Sequence, residues 1–184
     1  MPSPKILKGA LTYSGTQTRL VQPVVFQFNP ETMTRLQVYS EQTNTITESI
    51  RFQLVLNAME GMEQDVPEVV ENGIYPQLAA LEELLVQQAK QQRKGWPAWL
   101  FPSRNNSFLV LIYGERIIPI KIQRLNMKEI LHNSQLKPIH ATVDISLRVL
   151  TEQDLRGNVG GLVALGAYKQ YRHLKAQLTE SHTL

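Results

Sequence analysis

His140 and Asp144 stand on one side of the stretch PIHATVDISLRVL, and an imidazole beside a carboxylate is the pairing that general acid–base chemistry uses. Four residues of strand set the two about 13 Å apart, too far for a hydrogen bond. His132, His173 and His182 are isolated along the chain and read as surface groups. Gly157-Asn158-Val159-Gly160-Gly161 lacks the six-position glycine spacing and the strand-to-helix setting of a dinucleotide loop, and the chain carries no P-loop, H-E-x-x-H or G-x-S-x-G. Zero cysteines exclude disulfides, thiolate metal sites and cysteine nucleophiles. Asn105-Asn106-Ser107 matches a glycosylation acceptor, which without a secretory signal is a chance match. These residues point to no catalytic group, cofactor or metal, so the expectation is a protein that is not an enzyme.

At 184 residues and 42% hydrophobic content the chain suits one compact core. The expected division is a domain over residues 1–155 and a glycine-loosened tail over 156–184. The net charge of +3 is unevenly placed: four of the 19 Lys and Arg follow Leu155 (Arg156, Lys169, Arg172, Lys175) against one of the 16 acids (Glu180), leaving 15 against 15 before it. A neutral body does not offer the basic face that tracks phosphates, so no nucleic-acid partner is expected. The opening MPSPKILKGALTYSG has no apolar run suited to a signal peptide, and no stretch is suited to span a membrane. The expectation is synthesis in the cytoplasm without membrane insertion.

The stretch Pro138 to Leu150 organises the rest. Ile139, Ala141, Val143, Ile145, Leu147 and Val149 alternate with His140, Thr142, Asp144, Ser146 and Arg148, the period of a half-buried strand. A slip of one residue would bury Asp144 and Arg148, so the register is strongly specified. Thr45 to Ala58 alternates in the same way, with Ile50, Phe52, Leu54, Leu56 and Ala58 on one side, and could lie beside it. Lys5 to Tyr13 is a short strand candidate. Val24, Phe26 and Phe28 lead to a break at Asn29-Pro30, and Met33 to Tyr39 resumes the strand pattern.

Glu60 to Gly73 reads as an acidic surface loop. A helix over 76–94 follows, opened by Pro76, with Leu78, Leu81 and Leu85 as its apolar stripe and Leu84 alongside, and with Lys90, Arg93 and Lys94 complementing its C-terminal dipole. Trp96 to Pro102 places three large aromatics in a proline-bounded loop that reads as a plug over the core. Phe108 to Tyr113, FLVLIY, is apolar on both sides. Gly114-Glu115 then has the spacing of a type II′ turn into Arg116 to Met127, with Gly114 at the first central position. Pro119 marks that second strand as an edge or a bulge, since proline cannot donate to a ladder. Glu129 to Lys137 reads as a polar connection. A final amphipathic helix carries Leu162, Leu165, Tyr168, Tyr171 and Leu174.

A hairpin apolar on both faces beside an exposed edge suggests partner subunits. The interface candidates are Phe108, Val110, Ile112, Ile118 and Lys121 of the hairpin, with Leu165, Tyr168 and Tyr171 of the tail. The tail helix is expected to dock on a neighbour.

Four segments together, KILKGALTYSG, VVFQFNPETMTRLQ, NGIYPQLAALEELL, and FLVLIYGERIIPIKI with KPIHATVDISLRVLT downstream, resemble the tube-initiating baseplate adaptor of phage-tail-like contractile injection systems over roughly residues 5–155. The resemblance implies an α+β, mainly antiparallel fold: a tail-tube-like β-barrel with one side helix, here followed by a C-terminal helix. It implies a homo-oligomer, a six-fold ring that joins the trimeric spike and baseplate to the inner tube and nucleates tube assembly within a phage-tail-like particle. Many members carry a C-terminal LysM module, and this chain ends in a short helix instead. The alternatives are a cap-side tube terminator of the same fold, a small-ligand or glycan-binding barrel, and a hydrolase of unrecognised type.

Overall fold

The computed structural model describes residues 7–14, 22–91 and 107–180. The strands are β1 (Ala10–Ser14), β2 (Val24–Val25), β3 (Met33–Ser40), β4 (Thr45–Asn57), β5 (Phe108–Tyr113), β6 (Arg116–His132) and β7 (Pro138–Val149). The helices are α1 (Met59–Glu63), α2 (Pro67–Asn72), α3 (Tyr75–Gln91) and α4 (Val159–Glu180). All seven strands join one antiparallel sheet in the order β2-β1-β5-β6-β7-β4-β3. The fold is α+β, dominated by this sheet, which is open with β2 and β3 as its edges.

The alternation of β4 and β7 fixes their register. Ile50 lies opposite Leu147, Phe52 opposite Ile145, Leu54 opposite Val143 and Leu56 opposite Ala141, and all eight are buried on one face. Each large side chain buried there stabilises by about 2 kcal/mol, so no slipped pairing competes. On the other side of β7, β6 pairs from Ile120 opposite Val149 to His132 opposite Pro138. The connection expected from Glu129 onward is in fact strand as far as His132, because register shifts at Ile122/Arg124 and after Glu129 let a sequence with no clean alternation keep its ladder.

The edge assignment for Pro119 is corrected. β6 is an interior strand between β5 and β7, and Pro119 lies opposite Val110 in register with β5. Its carbonyl accepts from the Leu150 N–H at 2.9 Å, so its nitrogen also faces β7, at the point where the β7 ladder ends. The missing donor therefore falls where there is no ladder left to complete. Gly114 takes the positive φ of 61° that the expected hairpin turn requires. β5 is buried on both faces as expected, over Phe108, Leu109, Val110 and Leu111.

Helix α3 covers the apolar face with Leu78, Leu81 and Leu84. Leu85, placed in the stripe from sequence, is more than a third exposed, and Leu84 takes its place at the core. Two polar joins fix the helix: the Tyr13 hydroxyl donates to the Leu84 carbonyl at 2.8 Å, and the Gln88 amide donates to and accepts from the Ile122 backbone at 2.8 and 2.7 Å. Ile122 lies past the start of β5, so a side chain satisfies backbone groups that no strand reaches. The segment Glu60 to Gly73, expected as a loop, forms α1 and α2, with Pro67 at the first turn of α2. Residues 92–94 and the loop Trp96 to Pro102 lie outside the described residues.

The tail is the largest correction. Leu165 and Tyr168, expected at a partner's surface, are buried in the chain's own core, so the first half of α4 packs on its own sheet. At the start of α4 a Cβ on Gly161 would lie 2.5 Å from the Leu155 Cδ2, so glycine permits the close approach of the helix to the turn that precedes it.

Candidate functional site

His140 and Asp144 do not meet. Asp144 accepts from Gln53 Nε2 at 2.7 Å and from Asn126 Nδ2 at 3.2 Å, while His140 sits between Asn57 of β4 and Leu131 of β6. His132 contacts Glu129 at 2.9 Å and His173 contacts Gln177 at 3.2 Å, each one turn or less away in sequence. His182 lies outside the described residues. Among the described residues no three His, Cys, Asp or Glu side chains gather as metal ligands, and no helix is long and apolar enough to cross a membrane.

The interface candidates divide by burial. Phe108, Val110, Ile118, Leu165 and Tyr168 are buried within the chain and present little surface to a partner, whereas Ile112, Lys121 and Tyr171 keep partial or full exposure.

The densest polar constellation surrounds Glu48, which is only 6% exposed. Its Oε1 accepts from Arg35 Nε at 2.9 Å and Nη2 at 2.6 Å and from the Tyr168 hydroxyl at 2.8 Å. Its Oε2 accepts from Gln37 Nε2 at 3.0 Å and Arg172 Nη1 at 3.0 Å. Arg35 Nη2 also donates to the Tyr168 oxygen at 2.7 Å. Burial works to raise the Glu48 pKa, but the bonds from Arg35, Tyr168 and Gln37 and the Arg35 charge outweigh it and hold the carboxyl below its usual range. Burial and the bond to Glu48 push the Tyr168 hydroxyl up to about 12. A carboxylate already engaged by five donor atoms has little capacity left to take a proton from a substrate. What it does is mechanical: it ties α4 to the β3–β4 hairpin. The signal was present in the sequence, because Glu48 is in phase with Ile50, Phe52, Leu54 and Leu56, a charge on the apolar side of an alternation.

A second join closes the turn after β7. Arg148 grips Asp154 through both Nη atoms at 2.9 Å, and Thr151 donates to the same carboxylate through N–H at 2.8 Å and Oγ1 at 2.7 Å. Against the effect of burial, these bonds hold Asp154 down at about 2.

At the opposite end of the strands a shallow cleft of about 210 Å³ lies between β4 and the α1–α2 segment, lined by Gln27, Asn57, Gln64, Val69 and Ile74 among others. Gln27 spends its amide on the Asn57 backbone, donating at 2.7 Å and accepting at 2.9 Å, so it is part of the wall.

The remaining feature is surface. No residue of β3 is buried, and Leu36, Val38 and Tyr39 are each at least half exposed along an edge that, among the described residues, pairs only with β4. No protein-family model and no curated protein matches the chain.

Proposed function

We propose that the chain is a structural component of a contractile injection system, a ring layer that joins the spike and baseplate to the inner tube and nucleates tube assembly. The sequence resemblance over residues 5–155 supplies the identity of the particle. One structural observation carries the assembly role: an eight-residue edge strand, β3, stands with no buried residue and, among the described residues, an unpaired outer side. Unpaired strand edges invite pairing by another chain, and a soluble protein normally shortens or covers them. In this reading the open sheet belongs to a tail-tube-like fold, copies associate as a six-fold homo-oligomer, and the partners are spike, baseplate and tube proteins. The chain performs no chemistry and needs no cofactor.

Electron microscopy of assembled particles carrying a labelled copy tests the proposal. A label at the spike end of the tube supports the initiator role, and a label at the opposite end assigns the chain as the tube terminator of the same fold. A label found nowhere on the particle sinks the reading.

A further inference from the structure

The sheet's outer face carries a charge pattern that the joins described above leave unused. On β4, β6 and β7 the residues opposite the apolar face fall in rows: Lys121, Arg148 and Ser49 in one, and Arg124, Ser146 and Arg51 in the next. The rows after these are Asn126, Asp144 and Gln53, then Lys128, Thr142 and Val55. β3 extends the first row with Leu36, and Val38 lies on the same side one pair further, opposite Thr47. The face thus presents Arg51, Lys121, Arg124 and Lys128 around one carboxylate, Asp144, beside two half-exposed apolar side chains, 51% and 50% exposed. Arg148 is already taken by Asp154.

At one end of the same strands the segment 59–72 carries Glu60, Glu63, Asp65, Glu68 and Glu71, with no Lys or Arg. All five acids are exposed, and Met59, Val66 and Val70 are exposed among them. Among the described residues none of these five acids, and none of the four cations, belongs to an ion pair. Elsewhere among the described residues Arg35, Arg148, Lys169, Arg172 and Lys175 have carboxylate partners, while Lys8, Lys90, Arg116, Lys137 and Arg156 are, like the four cations, in no ion pair but do not share one sheet face.

We propose that the α1–α2 segment of one copy docks on the β4–β6–β7 outer face of a second copy, with Val66 and Val70 against Leu36 and Val38 and the acids against the four cations. Each chain then offers one basic and one acidic surface, so the contact is head-to-tail and propagates from copy to copy until a ring closes or a stack grows. Charge complementarity fixes the direction of docking, and the apolar residues add burial. The inference rests on the homo-oligomeric part of the proposed function, gives it a contact, and requires nothing of the spike or tube.

Charge reversal on the purified full-length chain tests it. One variant carries Arg51→Glu with Arg124→Glu, and the other Glu60→Lys with Glu63→Lys and Glu68→Lys, which leave the basic face with a net negative and the acidic segment with a net positive charge, all at exposed positions where circular dichroism reports retained folding. By sedimentation velocity at low ionic strength the parent chain forms species beyond twice its 21.0 kDa mass, and salt disperses them. Each variant alone stays monomeric. An equimolar mixture regains assembly, because every contact then pairs opposite net charges, and so does the single chain carrying all five changes. A parent chain that is monomeric at every concentration overturns the inference, as do variants that assemble like the parent or a mixture that stays monomeric. So does loss of assembly on nuclease treatment, which would assign the basic face to a polynucleotide. Incorporation into the particle is read separately by the labelling experiment, so either result can fail without the other.

Discussion

Two groups of charges meet on β4, one on each of its faces, and are treated in opposite ways. Around Glu48 every charge has a partner at short distance, and the carboxylate is buried under α4. On the outer face, Arg51 and Arg124 flank Ser146, and among the described residues neither has a carboxylate in an ion pair. A buried charge without partners costs several kcal/mol, so the chain must complete the first group itself. An exposed charge costs little to leave open, so the second group is free to be completed by another molecule. Burial therefore separates the polar groups that hold this fold from those that can meet a partner.

The most severe way to break the inner group is to remove α4 by truncation after Arg156. This takes away Leu165, Tyr168 and the Arg172 bond, and the two buried side chains alone account for about 4 kcal/mol. Urea unfolding is expected to show at least that loss, or no cooperative transition; an unchanged midpoint would mean that α4 is not part of the core. Glu48→Ala leaves Arg35 and Arg172 facing each other without their carboxylate and is expected to cost about 2 kcal/mol, since both arginines can swing partly into water. Tyr168→Phe keeps the packing and loses the hydroxyl, about 1 kcal/mol by the same measurement.

Acid sharpens the contrast further. The carboxyls of Glu48 and Asp154 both have folded pKa values below their ordinary values, so each contributes stability that is present above the unfolded value and is lost as pH falls through the folded one. For Asp154 that window runs from 3.8 down to about 2. Thermal melts across this range should show a falling midpoint, and Asp154→Asn should flatten part of the slope. The smallest effect belongs to the outer face: Arg51→Ala and Arg124→Ala are each expected to change stability by less than about 0.5 kcal/mol. A loss of about 2 kcal/mol at either position would show that the outer cations support the fold, and the contrast would fail.

Several elements were legible along the chain because their cause is local. The alternation in 45–57 and 138–149 specifies two strands whose apolar sides can only face the same core, and Gly114 marks the turn that pairs β5 with β6. The segment 60–73 was not legible as helix, since α1 and α2 are of five and six residues and are too short for an apolar period to show. The Glu48 join was half legible: the charge in phase with an apolar face could be seen, but its partners at 35, 37, 168 and 172 could not.

What the sequence determined by itself is therefore the set of strands, the face each one buries and the absence of any short-range catalytic motif, all consequences of periods of two to four residues. What only the tertiary structure decided is neighbourhood. Pro119 is tolerated on an interior strand because β7 ends beside it, α4 belongs to the core because Leu165 and Tyr168 reach the cluster on the sheet, and four cations share one face because β4 and β6 flank β7. Pairings between residues ten to more than a hundred positions apart depend on which strands end where, and no local pattern of residues encodes that.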